Sequence, residues 1–245
     1  MQAKTLLKTF TLISVSLTSF TSLAADPALG LNGSGELGFT DNSGNTTSTS
    51  LFTALKLNYN QTHYELQSKF EANYKSENKV QTEERYLIDV QYNRYYNPER
   101  NYYSFVGGKL EKNRFAGIEL ESILSLGLGK QLFKNESTKL IGEAGIAQQT
   151  TSYTNDVIEN DQSQTALRLK VDLTHQINAQ VAFLQDITYL KGTQQTTIES
   201  NTGFKVKVAD HMNLKASYKY RHNDSPATGA KKTDTQTLLT LIYDF

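Results

Sequence analysis

Residues 63–75 read HYELQSKFEANYK. Every second side chain from Tyr64 to Tyr74 is apolar or small, and every second one from His63 to Asn73 is polar or charged. A helix would not sort the two kinds of side chain in this way, whereas a β-strand points successive side chains to opposite faces. This stretch therefore predicts a strand with one apolar face and one hydrophilic face.

The same alternation recurs along the rest of the chain. In residues 119–133, Leu124, Leu126 and Leu128 are separated by a serine and a glycine, and residues 162–174 alternate leucines with charged residues. Counting through the sequence predicts twelve strands, at 33–40, 48–60, 63–75, 80–95, 102–112, 119–133, 138–152, 162–174, 179–191, 196–209, 212–222 and 234–245.

The prolines support a fully paired sheet. Pro27, Pro98 and Pro226 are the three prolines of the chain, and all of them lie outside the predicted strands. A proline cannot donate a hydrogen bond to a sheet ladder, so a closed ladder excludes it. The pattern predicts an all-β fold, an antiparallel up-and-down transmembrane β-barrel of about twelve strands.

Composition narrows the class of protein further. The 245 residues include no cysteine, 25 basic and 25 acidic residues, so the formal net charge is zero. Without cysteine there is no disulfide framework and no thiolate metal site, and a neutral chain is unlike a nucleic-acid binder. The mature sequence has no run of about 18 apolar residues, which excludes helical membrane spans but is compatible with membrane strands.

The N-terminus has the pattern of a secretory signal. Lys4 and Lys8 precede an apolar run at 10–20, and Ser22-Leu23-Ala24 forms a small-x-small cleavage site. The run is short and interrupted by hydroxyl residues, which disfavours the alternative of a membrane anchor. We therefore expect a cleaved signal peptide at residues 1–24.

The expected mature protein is a single outer-membrane β-barrel domain at residues 25–245. The longer and Gly/Asn/Asp-rich connections, such as 41–47 and 223–233, mostly fall on one side, as in barrels with short periplasmic turns and longer outer loops. The chain ends in a strand that closes with Tyr243 and Phe245. This ending resembles the signal that barrel-assembly machinery reads, so that machinery and outer-membrane lipid are the predicted partners.

A soluble β-sandwich or a lipocalin-like barrel is the alternative fold. Either would need a dry interior. The face opposite the apolar stripe carries too many charges for such a core, because unpaired buried ions cost several kcal/mol each.

Several short motifs resemble one family of bacterial proteins. Gly33-Ser34-Gly35-Glu36-Leu37-Gly38-Phe39-Thr40, followed by Ser43-Gly44-Asn45-Thr46, resembles the opening of the salt-induced outer-membrane protein family, whose function is unknown. Glu84-Arg85-Tyr86, residues 111–117 and Gly127-Leu128-Gly129 fit the same pattern. The resemblance implies an outer-membrane barrel and a link to salt response, and it supplies no catalytic residues. The tryptophan usual near the start of such domains is absent.

Charges on the predicted inward faces separate by sign. Strands three to six carry a predicted acidic wall that consists of Glu65, Glu71, Glu83, Asp89, Glu111 and Glu121. Strands eight, ten and eleven carry a predicted basic wall that consists of Arg168, Lys170, Lys205, Lys207, Lys215, Lys219 and Arg221. In a ring of twelve strands the two walls are roughly opposite, and they either face each other across water or form ion pairs that plug the lumen.

The sequence leaves the function open between two main hypotheses. A barrel of about eight strands is filled by its own side chains and one of about sixteen holds a channel, so twelve strands permit either outcome. The first hypothesis is a narrow pore for small polar solutes or ions, and the second is a non-conducting barrel that stabilises the envelope.

A barrel lipase or protease is the third and minor hypothesis, because such an enzyme needs a histidine that converges with a nucleophile. His63, His175, His211 and His222 all fall in predicted turns or at strand ends. We therefore predict no enzymatic activity, no catalytic residue, no cofactor and no metal.

Overall fold

The computed structural model describes residues 29–42, 47–154 and 160–245. The predicted signal segment at 1–24 lies outside these residues. Within the described ranges, no helix has the length and apolarity of a membrane span. The twelve strands are Gly30–Asn42 (β1), Ser48–Asn60 (β2), Tyr64–Glu77 (β3), Val80–Tyr95 (β4), Tyr102–Asn113 (β5), Ile118–Lys134 (β6), Thr138–Tyr153 (β7), Gln162–Gln176 (β8), Val181–Lys191 (β9), Thr196–Lys207 (β10), Met212–Asn223 (β11) and Thr233–Asp244 (β12).

Each strand pairs in antiparallel fashion with the strand before and after it, and β12 pairs with β1 to close the ring. The predicted up-and-down barrel of twelve strands is therefore confirmed. Closure leaves the sheet without an unpaired edge strand, which is how a barrel avoids edge-to-edge association. Pro98 and Pro226 lie outside the strands, as a continuous ladder requires, and Pro27 is not among the described residues.

Both ends of the barrel follow from the chain direction. The chain enters β1 and leaves β12 at the same end, here called the terminal end, and the opposite end is called the loop end. At the loop end, the two residues between β3 and β4 have positive φ, 48° for Asn78 and 65° for Lys79. Paired left-handed residues are the geometry of a tight two-residue hairpin, and asparagine tolerates it well.

The strand alternation produces an apolar outer face. On β6, Leu124, Leu126 and Leu128 point outward and are 63%, 54% and 67% exposed. Leu167 and Leu169 do the same on β8. These leucines form the apolar stripes that the sequence predicts for residues 119–133 and 162–174. The intervening positions point into the barrel and are mostly polar or charged.

The seam between β1 and β12 is short. Its register runs from Ser34 opposite Asp244 to Leu37 opposite Leu241. Beyond this ladder, Gly33 and Phe245 exchange two backbone hydrogen bonds, of 2.8 and 2.9 Å. A Cβ atom on Gly33 would lie 2.8 Å from the Phe245 ring, so this close approach requires glycine.

A charge on the outer face should prevent stable insertion, whereas a charge on the neighbouring inward position should not. Leu126→Arg places a cation at the middle of the apolar face, at an expected cost of about 2–4 kcal/mol. Ser125→Arg points into a polar cavity and is the matched control. Refolding both variants into lipid vesicles, followed by urea titration, measures the difference. Equal stability of the two variants would contradict the assigned faces.

Candidate functional site

Charged side chains from opposite walls meet inside the barrel, toward the loop end. Four carboxylates and four cations form one network, here called the charged belt. The members lie on β3, β4, β5, β6, β10 and β11, so the belt crosses the lumen. Its residues are Glu71, Arg85, Lys109, Glu111, Glu121, Glu199, Lys219 and Arg221.

Glu111 is the centre of the belt. Its side chain is fully buried, and Arg85 from the next strand donates to both carboxylate oxygens, at 2.9 and 2.8 Å. Lys109 approaches within 3.4 Å, and Arg221 donates to Glu111 from the opposite side of the ring. Three cations therefore neutralise one carboxylate that has no access to water.

Arg221 holds together three acidic groups. Glu111 and Glu121 are direct register partners on β5 and β6, and two carboxylates in that position repel each other. Arg221 contacts both of them and also lies 3.5 Å from Glu199, its own register partner on β10. In the ring order β11 is six strands from β5, so the side chains of Arg221 and Glu111 together span the lumen.

The predicted acidic and basic walls do not stand apart across water at this level. Lys219 reaches from β11 to Glu71 on β3, with distances of 3.0 and 3.1 Å to the two carboxylate oxygens. Of the two arrangements that the sequence left open, the structure shows ion pairs across the lumen at the belt. The physical reason is the length of the arginine and lysine side chains relative to the width of a twelve-stranded ring.

A second polar group lies nearer the terminal end, around Glu143. Arg168 donates to this carboxylate from β8 at 2.7 Å, and Tyr103 and Gln91 each donate to it at 2.8 Å. Tyr103 packs against Tyr95 and Phe105 in a buried aromatic cluster, so the ring of this tyrosine fills the lumen while its hydroxyl binds the carboxylate.

The remaining residues of the predicted walls are spread along the barrel, from Glu83 near the loop end to Lys207 at the terminal end. Glu65 accepts from Tyr95 and pairs with Arg100, and Glu83 accepts from Gln236 at 3.4 Å. Three lysines of the basic wall pair with carboxylates outside the predicted acidic wall: Lys205 with Asp244, Lys207 with Asp210, and Lys215 with Glu36. Asp89 and Lys170 line a cavity and form no ion pair with any residue that the structure describes.

The connection between β11 and β12 covers the belt at the loop end. Ala227 of this connection is buried, and Asp224 accepts a hydrogen bond of 2.7 Å from the backbone N–H of Thr196. That N–H holds the pKa of the Asp224 carboxyl below its ordinary value. Between Ala227 and the side chain of Arg221 only 30 Å³ remains, room for about two water molecules.

A larger cavity lies on the other side of the belt. Its volume is 260 Å³, and its lining is mostly polar. Lys109 and Glu199 of the belt form one boundary, and Asn58 and Gln67 lie toward the terminal end. The lumen thus consists of a polar cavity that ends at a closed network of ion pairs.

Sequence reasoning missed four charged residues of the lumen. Lys56 could be found by extending the alternation to the second strand, since Leu55 and Leu57 flank it. Asp186 lies between the outward Gln185 and Ile187 on β9, where the polar glutamine weakens the pattern. The other two are Glu36, which follows Gly35, and Glu143, which lies between Gly142 and Ala144, and these small neighbours weaken the alternation.

Two of the four histidines form cross-strand side-chain contacts. His175 and Thr138 are register partners whose Nδ1 and Oγ1 atoms are 2.8 Å apart, and His222 and Thr233 repeat this arrangement at 2.9 Å. These are ordinary polar pairs of antiparallel strands. Among the residues described, no group of three or more potential ligands is arranged to hold a metal ion.

Removing the central carboxylate should destabilise the barrel strongly. Glu111→Gln leaves Arg85, Arg221 and Lys109 without their shared buried anion, at an expected cost of about 3–5 kcal/mol. Glu119→Gln is the matched control, because its pair with Lys112 is exposed and contributes at most about 1 kcal/mol. Urea unfolding of both variants in vesicles measures the difference. A loss from Glu111→Gln no greater than that of the control would contradict the central role of this residue.

Comparison with solved structures shows the fold. The barrel is similar to the NanC porin, with 12% identity, a TM-score of 0.53 and coverage of 87% of this chain and 98% of that chain. It is also similar to an outer membrane channel from Pseudomonas putida F1, with 11% identity, a TM-score of 0.51 and coverage of 91% and 97%. At such identities the likeness extends to the fold alone.

Comparison of the sequence with known proteins gives the family. No curated protein shows significant similarity to the chain. The model of a family described as protein of unknown function, DUF481, matches residues 35–245, so the chain belongs to this family.

Proposed function

We propose that the protein spans the bacterial outer membrane and provides a narrow passage for small polar solutes or ions. The observation that carries this proposal is a charged interior with a cavity of 260 Å³, inside a closed barrel whose outer face is apolar. Apolar outside and polar inside is the arrangement that a bilayer and an aqueous lumen together favour. The porin and the channel named above share the fold.

The proposed orientation puts the terminal end in the periplasm. Residues 1–24 would direct export and be removed, and the loop end, with the 224–232 connection, would face outward. The charged belt then lies close to the outer mouth and limits the passage, while the cavity of 260 Å³ faces the periplasm. No enzymatic step is required in this proposal.

A link to salt response is part of the same proposal, since the belt is electrostatic. The screening length in water falls from about 10 Å at 0.1 M salt to about 3 Å at 1 M. Lys109 and Glu199 of the belt line the cavity, so this ion pair should weaken as salt increases. Conductance relative to that of the bulk solution should rise with salt concentration.

A non-conducting envelope-stability barrel is the second candidate. It is favoured by the contact of Arg221 with Glu111 across the full diameter, beneath a buried Ala227. In that case the belt is a permanent closure and the lumen carries no current at any salt concentration.

Removing Arg221 tests the two candidates. In planar bilayers, Arg221→Gln should conduct more than the wild type, because a shorter neutral side chain opens the belt. Its reversal potential in a salt gradient should shift toward cations, because Glu111, Glu121 and Glu199 remain. Arg94→Gln is the matched control, since Arg94 is exposed on the outer face. Heat-modifiable electrophoretic mobility verifies that each variant is folded.

The outcomes separate the candidates. If neither the wild type nor a folded Arg221→Gln variant carries current in planar bilayers, the pore proposal is contradicted and the non-conducting barrel is favoured. Conduction that is unchanged by Arg221→Gln would contradict the belt as the narrowest part of the passage.

For assembly, we propose that Tyr243 and Phe245 are read by the barrel-assembly machinery. Phe245 also has a structural role, because its backbone bonds to Gly33 at the seam. Phe245→Ala keeps those bonds and removes only the ring, whereas deletion of Phe245 removes both. If the ring is the signal, both variants should reach the outer membrane poorly, and the deletion alone should lose about 1–3 kcal/mol of stability after refolding in vitro. Wild-type membrane levels of Phe245→Ala would contradict the signal.

A further inference from the structure

The cavity contains two cross-strand pairs of like charge. Lys56 on β2 is the direct register partner of Lys69 on β3, and Asp172 on β8 is the direct register partner of Asp186 on β9. All four residues line the cavity. Like charges directly opposite each other on neighbouring strands destabilise a sheet.

The two pairs lie on opposite walls. In a ring of twelve strands, β2 is six strands from β8 and β3 is six strands from β9. The basic pair therefore faces the acidic pair across the cavity. Lys56 and Asp172 form no ion pair with any residue that the structure describes, in contrast to the residues of the charged belt.

The other charges of the cavity do not remove this polarity. Lys69 also pairs with Glu71 at 2.8 Å, and Asp186 accepts a hydrogen bond of 3.0 Å from Asn201. Asp89 lies beside the basic pair, and Lys170 lies beside the acidic pair. Among the side chains that line the cavity, each wall thus has two charges of one sign and one of the other.

The last charged residues of the lining are held in ion pairs. Lys109 pairs with Glu199 of the lining at 2.8 Å, and Arg168 pairs at 2.7 Å with Glu143, which lies outside the lining. What remains is a cavity with one basic pole and one acidic pole. A single anion or cation would be attracted by one pole and repelled by the other.

We propose that this cavity is a binding site for a small zwitterion, whose carboxylate binds at Lys56 and Lys69 and whose ammonium group binds at Asp172 and Asp186. The inference deepens the proposed passage by naming the solute class, and it rests on that proposal for its physiological meaning. Binding itself needs only the folded barrel. Such a ligand relieves the repulsion within both like-charge pairs, which neither an ion nor an uncharged solute can do.

The probe is γ-aminobutyrate, with butyrate and butylammonium as half-ligands of the same chain length. Isothermal titration calorimetry on the folded full-length protein in detergent measures binding without any requirement for conduction. The zwitterion should bind at least about tenfold more tightly than either half-ligand, because it satisfies both poles at once. Equal binding of all three probes, or none of the zwitterion, would overturn the site.

Variants assign the binding to this cavity. Lys56→Gln and Asp172→Asn each remove one pole charge that has no ion-pair partner, and each should weaken binding about tenfold. Lys112→Gln and Asp210→Asn make the same chemical changes outside the cavity lining and should leave the affinity unchanged. An equal effect of pole and control variants would contradict the assignment.

Failure of the site and failure of the passage are distinguishable. If the barrel binds the zwitterion but never conducts, the binding site is supported and the passage is contradicted. If the barrel conducts, but γ-aminobutyrate neither binds to it nor blocks its current, the passage is supported and the binding site is contradicted.

Discussion

A side chain on a strand of a closed barrel can point only outward or inward, and the rest of this structure depends on that constraint. Because the period is two, each strand divides its residues between the two environments, and a shift of one residue would exchange them. Leu126 and Ser125 are adjacent in sequence, yet one is exposed on the apolar face and the other lines the polar cavity. Every charge of the lumen is inside for this reason, whatever its partners.

Enclosure makes the choice of partner decisive. Charges that are removed from bulk water are costly unless they are paired and hydrogen-bonded. At the belt the side chains are long enough to meet, so Glu111 is buried without net repulsion. One level closer to the terminal end, Lys56 and Asp172 stay apart, and space remains between them. The same interior therefore contains the charged belt, which is closed by its own ion pairs, and the cavity, which has room for a solute.

The fold could be predicted from the sequence to within a few residues, whereas the pairing inside it could not. The strand from Ser48 to Asn60 has the predicted bounds, because its leucines alternate regularly. The first strand is longer than predicted, because Gly30, Leu31 and Asn32 pair with β2 although glycine and asparagine are poor strand formers. Alternation gives the face of Arg221 but not its partners, which depend on the stagger of strands six positions away.

The short seam has a consequence for the order of folding. All eleven other strand pairings join strands that are consecutive in the chain, whereas the seam joins Ser34 to Asp244, so its loop-closure entropy is the largest of the twelve pairings. Until the last strand exists, the edges of β1 and β11 are unpaired templates for association with other chains. A chain that ends before Thr233 would therefore form an open, aggregation-prone sheet rather than a smaller barrel. The twelve residues of β12 decide whether the sheet closes.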